Sequence, residues 1–257
     1  MKIISIVNQK GGVGKTTTTA NLAAAFVKMG AKTLCIDLDP QANLSLYLGY
    51  EDDGNPTLPE LLVSEIQREK YDIIKAIRTN KEGIDYIPSA LSLSKIEVMI
   101  NNEISREYIL EGMLRNLELS EYEYILIDCL PSLNIFIVNA LTASDSVLIP
   151  VQPQTFALSG LGDLMETIDR VRDRANPKLK YEGLVITMND STNNSKAGEK
   201  SLRSTFNELV FPISVRRTVD APNSTLSKNS LITMSYSKAG TEYMQIAEII
   251  RNRSDVN

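Results

Sequence analysis

Strand-like and helical patterns of hydrophobic residues alternate along nearly the whole chain. Short runs of apolar and β-branched residues favour buried parallel strands, whereas apolar positions three or four residues apart favour amphipathic helices. The predicted strands span 2–8, 33–37, 83–88, 124–128, 146–151 and 181–187. This alternation is typical of an α/β fold, a doubly wound and mostly parallel β-sheet with helices on both faces. Residues 1–257 are expected to form one such domain.

The clearest helical patterns cover 16–29, 158–174 and 238–251. In the first of them Leu22, Phe26 and Met29 share one face, and Gly30 suits the end of the helix. Residues 58–117 are mostly helical and charged in pattern. Residues 189–198 are rich in Asn and Ser, which predicts a surface loop.

A glycine-rich segment joins the first predicted strand to the first predicted helix, the usual position of a phosphate-binding loop. That motif requires Gly, four residues, and then Gly-Lys-Ser/Thr. Gly14, Lys15 and Thr16 complete the motif, but Gln9 stands where the first glycine belongs. Glycines let backbone N–H groups approach an anion, and a helix N-terminus favours negative charge. We expect Lys15 to reach the β- and γ-phosphates of a nucleotide and Thr16 to contact Mg²⁺.

A second lysine, Lys10, lies at the mouth of this loop. A cation near the γ-phosphate can neutralise charge that develops during phosphoryl transfer. An exposed loop lysine often has no specific role, so the spacing alone leaves both interpretations open.

Three aspartates end predicted strands. Asp128 closes an apolar strand, where phosphate-loop proteins place the carboxylate that holds Mg²⁺, although such a residue is also common in turns. Asp37 and Asp39 end the second predicted strand, at the edge where doubly wound sheets bind ligands. One of them is a candidate for orienting an attacking water, and helix capping is the alternative role for Asp39.

Composition excludes several function classes. The chain has no histidine, which rules out His-based nucleophile relays and His-ligated metals. Cys35 and Cys129 lie in apolar strand-like runs, which favours burial as small hydrophobic residues over a disulfide or metal site. No apolar run approaches the length of a membrane span, and no leader-like segment precedes the first strand. We expect a soluble, cytoplasmic protein.

The charge is distributed unevenly. The net charge of −5 argues against a uniformly basic nucleic-acid binder. Residues 170–253 nevertheless carry a balance of +6, and the rest of the chain carries −11. This asymmetry fits a surface that faces a polyanion, and it also fits ordinary solvated helices.

The combination of motifs resembles the ParA/Soj family of chromosome- and plasmid-partition ATPases, within the MinD-like group of deviant Walker proteins. Residues 10–17 match the deviant Walker A loop of this P-loop group, with Lys10 as its signature lysine. Residues 37–43 match the next motif of the family, and residues 139–145 are similar to the family sequence. Residues 214–216, followed by 220–222, resemble the C-terminal segment of the family that borders the nucleotide and faces DNA. The similarity covers nearly the whole length.

The resemblance implies a nucleotide cycle. ATP with Mg²⁺ would drive formation of a homodimer in which Lys10 contacts the partner's nucleotide. The dimer would bind DNA without sequence preference, so the protein would be associated with the nucleoid. A ParB-type centromere-binding partner would stimulate slow hydrolysis, with Asp39 positioning the water. Lys10, Lys15 and Asp39 are therefore the candidate catalytic residues.

The resemblance also assigns binding residues. The candidate nucleotide contacts are Lys10, Gly11, Gly12, Val13, Gly14, Lys15, Thr16 and Thr17, with Asn189, Pro212 and Ser214 bordering the adenine. The candidate Mg²⁺ ligands are Thr16, Asp37 and Asp128. The candidate DNA contacts are Lys196, Lys200, Arg203, Arg216, Arg217 and Lys228.

The sequence departs from the family pattern at two positions. Leu130 precedes Pro131 where the family usually has Pro-Pro, which would alter a switch that senses the γ-phosphate. Ile213 stands where relatives often carry Arg. The phosphate loop begins within ten residues of Met1, so we expect no N-terminal helix-turn-helix domain and no specific operator binding.

Other uses of the same fold remain open. A sibling ATPase that positions a protein cargo over the nucleoid is the strongest alternative. A MinD-like membrane ATPase would need a C-terminal amphipathic helix, whereas residues 251–257 are short and polar. A reductase with a shared iron–sulfur cluster would need suitably placed cysteines. A metabolic amidating synthase would form ADP in response to its substrate, without DNA.

Overall fold

The computed structural model describes residues 1–115, 117, 122–154 and 157–255. Within them, seven strands form one sheet in the order β3-β4-β2-β5-β1-β6-β7. The strands are β1 (Lys2–Ile6), β2 (Thr33–Leu38), β3 (Arg78–Thr79), β4 (Asp85–Ile87), β5 (Tyr124–Cys129), β6 (Ser146–Val151) and β7 (Lys180–Ile186). Every pairing is parallel except that of β3, a two-residue antiparallel strand at one edge.

The helices alternate with the strands. They are α1 (Lys15–Lys28), α2 (Asn43–Leu48), α3 (Leu58–Gln67), α4 (Leu93–Asn101), α5 (Ile109–Arg115), α6 (Ile135–Thr142), α7 (Ala157–Arg174), α8 (Asn193–Phe206), α9 (Asp220–Ser227) and α10 (Lys238–Asp255). Short 3₁₀ turns occur at Ile73–Ala76, Arg106–Tyr108 and Asn207–Leu209. In the described part of the chain, no helix is both long and apolar enough to cross a membrane.

The sheet is buried on both faces. All residues of β2, β5 and β6 are buried, and they contribute side chains alternately to two apolar clusters. One cluster contains apolar residues of α1, α2 and α10, and there the ring of Phe26 stacks on that of Tyr124 with centroids 4.0 Å apart. The other contains residues of α3 to α8. Helices therefore cover both faces, which confirms the predicted fold class.

The prediction of a loop over 189–198 is wrong, because α8 begins inside it at Asn193. The Ser/Thr/Asn cluster supplies a helix cap: the hydroxyl of Thr192 accepts a hydrogen bond from Ser195 N at 3.2 Å. Gly198 then lets α8 approach the segment after β6, because a Cβ at that position would lie 2.6 Å from the carbonyl oxygen of Pro153. Ser, Thr and Asn are typical of loops, but in this segment they form the start of helix α8.

The strand order places the important loops together. β1 lies between β5 and β6, so the connection after β1 leads to one side of the sheet, whereas the connection after β5 crosses β1 to reach β6 on the other side. In open parallel sheets, ligands bind at the carboxyl ends of the strands at such a switch point. The segments that follow β1, β2, β5 and β6 all lie at this edge.

Candidate functional site

The glycine-rich loop connects the end of β1 to the start of α1, as predicted. Gly12 and Gly14 have φ values of 72° and 86°, in the left-handed region that favours glycine. Gly14 is the N-cap of α1 and supplies no side chain to its first turn. Because the N–H groups of a first helical turn lack intrahelical acceptors and carry partial positive charge, this loop suits an anion.

Lys15 is the first residue of α1 and is only 7% exposed. Its Nζ donates to the carbonyl oxygen of Lys10 at 3.3 Å. Burial lowers the pKa of Lys15, and the Asp128 carboxylate partly opposes that effect. The loop thus holds a poorly solvated cation beside the glycine amides, and phosphate oxygens would stabilise its charged form.

The other lysine, Lys10, is exposed, and its Nζ donates a hydrogen bond to Oε1 of Gln154. Its backbone N–H donates to Asn8 Oδ1 at 2.9 Å. Gln9, which replaces the first glycine of the motif, has a contact that the sequence did not predict. Its Nε2 donates to the carbonyl oxygen of Gly160 at 2.5 Å, which ties the loop to α7.

Two carboxylates face each other beneath the loop. Asp37 on β2 pairs in register with Asp128 on β5, and both are 1% exposed. Thr16 Oγ1 donates to Asp128 Oδ2 at 2.7 Å, so these two predicted Mg²⁺ ligands are in contact. Thr19 Oγ1 donates to the other oxygen of Asp128 at 3.2 Å. Helical spacing within the run of threonines from 16 to 19 was the available signal for Thr19.

Asp37 is held by α2. Ser45 donates to Asp37 Oδ2 twice, from its backbone N at 2.8 Å and from its Oγ at 2.6 Å. Burial raises the pKa of Asp37 to about 6, and the hydrogen bonds from Ser45 oppose that rise. Burial also raises the pKa of Asp128 to about 8, helped by the neighbouring charge of Asp37. Two carboxylates buried side by side therefore bind either a proton or a nearby cation.

Asp39 lies just beyond the end of β2 and is partly exposed. Its Oδ1 accepts a hydrogen bond from Gln41 N at 2.9 Å, so it shapes the turn before α2, although α2 itself starts later, at Asn43. The negative charge of Asp39 is close enough to raise the pKa of Lys15. Asp39 is thus the acidic residue at the solvent side of the site, with Asp37 and Asp128 behind it.

An apolar cavity of about 430 Å³ lies beside the loop. Its lining includes Gly14, Thr17, Met188, Arg216 and Pro222. Its walls come from the loop, from the segments that follow β7 and from α9. This is a suitable place for a planar base attached to phosphates in the loop.

The three residues predicted to border the adenine lie near this cavity but do not line it. Asn189 Nδ2 donates to Ser214 Oγ at 3.1 Å and to Glu199 at 2.7 Å, whereas Pro212 is exposed. Their role at the adenine stays a prediction. The cavity adds Met188, which sequence reasoning missed and which has an unusual positive φ of 50°.

The donors of the site fit magnesium. Thr16, Asp37 and Asp128 offer hydroxyl and carboxylate oxygens, the ligands that Mg²⁺ prefers. Among the described residues no cluster of three or more His, Cys, Asp or Glu forms a self-sufficient metal cage. Mg²⁺ bound through few protein oxygens usually takes its remaining ligands from water and phosphate.

Comparison with known proteins agrees with this geometry. The AAA domain family model AAA_31 matches residues 1–181, which include the loop and all three aspartates. The chromosome partitioning protein ParA of Caulobacter vibrioides is 37% identical, over 99% of this chain and 96% of its own. The sporulation initiation inhibitor protein Soj of Bacillus subtilis is 42% identical over 84% of this chain and 85% of its own. The chain belongs to the ParA/Soj family of partition ATPases.

A solved structure shows how widely this fold is used. Cobyrinic acid a,c-diamide synthase from Mycobacterium smegmatis, with bound ADP and magnesium, superimposes with a TM-score of 0.85 and 31% identity. The superposition covers 100% of this chain and 97% of the synthase. A ParA/Soj chain therefore shares its fold with a protein named as a synthase, so the fold alone does not identify the function.

The six basic residues predicted to contact DNA fall into two groups. Three of them are engaged within the protein: Arg203 with Glu199, Arg216 with Glu242 and Lys228 with Glu51. The others are more available, since Lys196 and Lys200 are exposed one turn apart on α8 and Arg217 is 4.0 Å from Asp190. The role of all six in DNA binding stays a prediction.

The two departures from the ParA/Soj pattern both pack against the core. Leu130 is 9% exposed within one apolar cluster, and Ile213 is partly buried against the other. An apolar side chain replaces the expected residue at both positions. The predicted effects on the switch and on DNA or base contacts remain predictions.

The buried carboxylates lead to a pH-dependent stability prediction. Asp128 has a folded pKa of about 8 against about 4 when unfolded, so unfolding releases a proton between these values and stability falls as pH rises through that range. Asp128→Asn should therefore raise the Tm of the nucleotide-free protein at pH 8 by at least about 3 °C, and by less at pH 5.

The matched control is Asp163→Asn, which changes an exposed carboxylate on α7. Its Tm should stay close to that of the original chain at both pH values. Scanning calorimetry without nucleotide gives the comparison. Equal gains at pH 5 and pH 8 for Asp128→Asn would refute the raised pKa.

Proposed function

We propose that this chain is a partition ATPase that binds ATP with Mg²⁺, dimerises with ATP bound, holds DNA without sequence preference and hydrolyses ATP slowly. The observation that carries the proposal is the arrangement of two lysines in one glycine loop above the Thr16–Asp128 contact. ATP and Mg²⁺ are supported by this donor set and by the ADP and magnesium bound to the similar synthase.

The roles of the two lysines follow from their burial. Lys15 is buried and lies against the loop, so it suits the phosphates bound by its own chain. Lys10 is exposed at the edge where the strands end. A second copy facing this edge would meet Lys10, which supports its assignment to the nucleotide of the partner.

The water that attacks the γ-phosphate needs an acceptor at the open side of the site. Asp39 is partly exposed there, whereas Asp37 and Asp128 are buried. Asp39 is therefore the residue proposed to orient the water. Because the site has no histidine and the other two carboxylates are buried, basal hydrolysis of ATP should be slow. A ParB-type partner that stimulates hydrolysis would then regulate the cycle.

The DNA surface is proposed to centre on α8. Lys196 and Lys200 lie on one face of this helix, and Arg217 adds a third cation beyond the end of β7. Lysines bind phosphates as point charges without reading bases, which suits non-specific attachment to the nucleoid in the cytoplasm. Arg203 is less suitable, because it also donates to the carbonyl oxygens of Phe211 and Pro212.

Two related functions share this core. An ATPase that positions a protein cargo over the nucleoid would use the same nucleotide and DNA surfaces and differ only in its partner. A biosynthetic synthase is favoured by the likeness of the solved synthase structure. It would form ADP in response to its substrate, without DNA. A membrane-associated ATPase of the MinD kind is the least supported alternative.

The two lysines should separate nucleotide binding from dimerisation. Lys15→Ala should weaken ATP binding at least about tenfold, because it removes a charge-assisted contact. Lys10→Ala should keep ATP affinity within about threefold, since an exposed lysine contributes little in the monomer, but it should not dimerise. Calorimetry and light scattering with a non-hydrolysable ATP analogue measure the two effects. A Lys10→Ala protein that dimerises normally would exclude the role across the interface.

The DNA surface can be tested by charge reversal. The double variant Lys196→Glu, Lys200→Glu should weaken binding of a random-sequence duplex about tenfold or more and reduce the log–log salt slope by about 2. The matched control is the double variant Lys178→Glu, Lys180→Glu, which makes the same change in charge. These two lysines lie where β7 begins, at the amino ends of the parallel strands and away from the nucleotide site. If both double variants lose affinity equally, the binding reflects overall charge and not α8.

A further inference from the structure

Helix α9 lies on the surface and has one buried residue, although Ala221 also packs against the apolar core. Of its eight residues only Ser224 is buried, at 0% exposure. Its outer surface is open, with Val219 just before it 78% exposed and Leu226 83% exposed. The helix nevertheless occupies an important place, because it forms one wall of the cavity beside the glycine loop.

The buried serine of α9 contacts a buried tyrosine of α2. The hydroxyl oxygens of Ser224 and Tyr47 are 2.8 Å apart, and Tyr47 is 3% exposed. Tyr47 also donates to the carbonyl oxygen of Asn229 at 3.4 Å, just beyond α9. From α1, Asn21 Nδ2 approaches the same hydroxyl at 3.5 Å. One hydroxyl therefore joins α9 to α2 and to the helix of the glycine loop.

The same short helix is fixed to the nucleotide site two residues earlier. Ser45 holds Asp37 Oδ2 through both its backbone N and its Oγ. Because α2 has only six residues, Ser45 and Tyr47 lie within one turn of a helix that is too short to bend between them. A displacement of the Asp37 carboxylate would therefore move the Tyr47 hydroxyl as well.

We propose that Tyr47 is a positioning residue that couples the state of the nucleotide site to α9. The path runs from Asp37 through Ser45 to Tyr47 and ends at Ser224. It regulates the surface formed by α9 and by Arg217 just before it, one of the three cations of the proposed DNA surface. This inference rests on the proposed function in one respect: that surface is taken to face DNA.

The path through α2 would let α9 respond differently to ATP and to ADP, whereas contacts between the base and the cavity would not. ATP and ADP share the base and the first two phosphates, so contacts between a base and the cavity wall are the same for both. Only the γ-phosphate distinguishes the two nucleotides, and the proposed function places Asp39, two residues after Asp37, beside it. A further contact between the end of α9 and the α2 region is the exposed pair of Lys228 and Glu51, 3.3 Å apart, which contributes little.

Hydrogen exchange of the α9 amides tests the proposal without using DNA or turnover. In the unaltered chain, exchange over residues 220–228 should differ about tenfold between Mg²⁺ with a non-hydrolysable ATP analogue and Mg²⁺ with ADP. In Tyr47→Phe, which keeps the ring and removes the hydroxyl, the two states should agree within about twofold. The variant should still bind the analogue and dimerise.

Matched variants separate the contact from general damage. Ser224→Ala removes the same hydrogen bond from the other side, so the double variant with Tyr47→Phe should behave like either single variant. Tyr122→Phe removes a tyrosine hydroxyl that binds Asp85 Oδ2 at 2.7 Å, and Ser227→Ala alters an exposed serine of α9. Both controls should keep the full difference in exchange.

Each result has a definite meaning. An unchanged difference in Tyr47→Phe, or its loss in Tyr122→Phe as well, would overturn the proposal. Loss of analogue binding or of dimerisation in Tyr47→Phe would also overturn it, since the hydroxyl would then serve the nucleotide site itself. If the unaltered chain binds no DNA but shows a difference in exchange that depends on Tyr47, the DNA role fails and the coupling stands. No difference in the unaltered chain overturns the coupling whatever DNA does.

Discussion

The arrangement of the whole site depends on two carboxylates buried side by side. Asp37 and Asp128 occupy paired positions on neighbouring strands, and burial raises the pKa of each. A protein tolerates such a pair if hydrogen-bond donors surround it and if protonation or a nearby cation neutralises part of its charge. Thr16 and Ser45 supply donors. Lys15 supplies nearby positive charge, and the oxygen donors fit Mg²⁺.

This constraint links the nucleotide site to distant parts of the fold. Holding Asp128 requires α1 to begin directly above β5, and holding Asp37 requires α2 to turn back after β2. With α2 held in that position, the buried Tyr47 lies under α9 and forms a hydrogen bond with Ser224 of that helix. The contacts that stabilise the buried carboxylate of Asp37 thus help to position helix α9 at the surface. We propose that a nucleotide that alters these contacts also shifts α9.

The sequence predicted the features that depend on local patterns. The glycine loop, Lys15 and Asp128 could be identified because strand, turn and helix signals adjoin each other along the chain. The hydroxyl contact between Tyr47 and Ser224 could not, since 177 positions separate these residues and neither belongs to a motif. The start of α8 was also missed, because Ser, Thr and Asn favour both loops and helix caps. Tertiary packing at Gly198 decided between them.

We propose that the γ-phosphate determines whether this ATPase holds DNA. The most direct measurement is equilibrium binding of a random-sequence duplex across a salt series, with Mg²⁺ and either a non-hydrolysable ATP analogue or ADP. We expect the protein to bind the duplex only with the analogue, and this binding should weaken with salt at a log–log slope of about −0.9 for each phosphate contacted. Equal binding in the two states, or none in either, would contradict it.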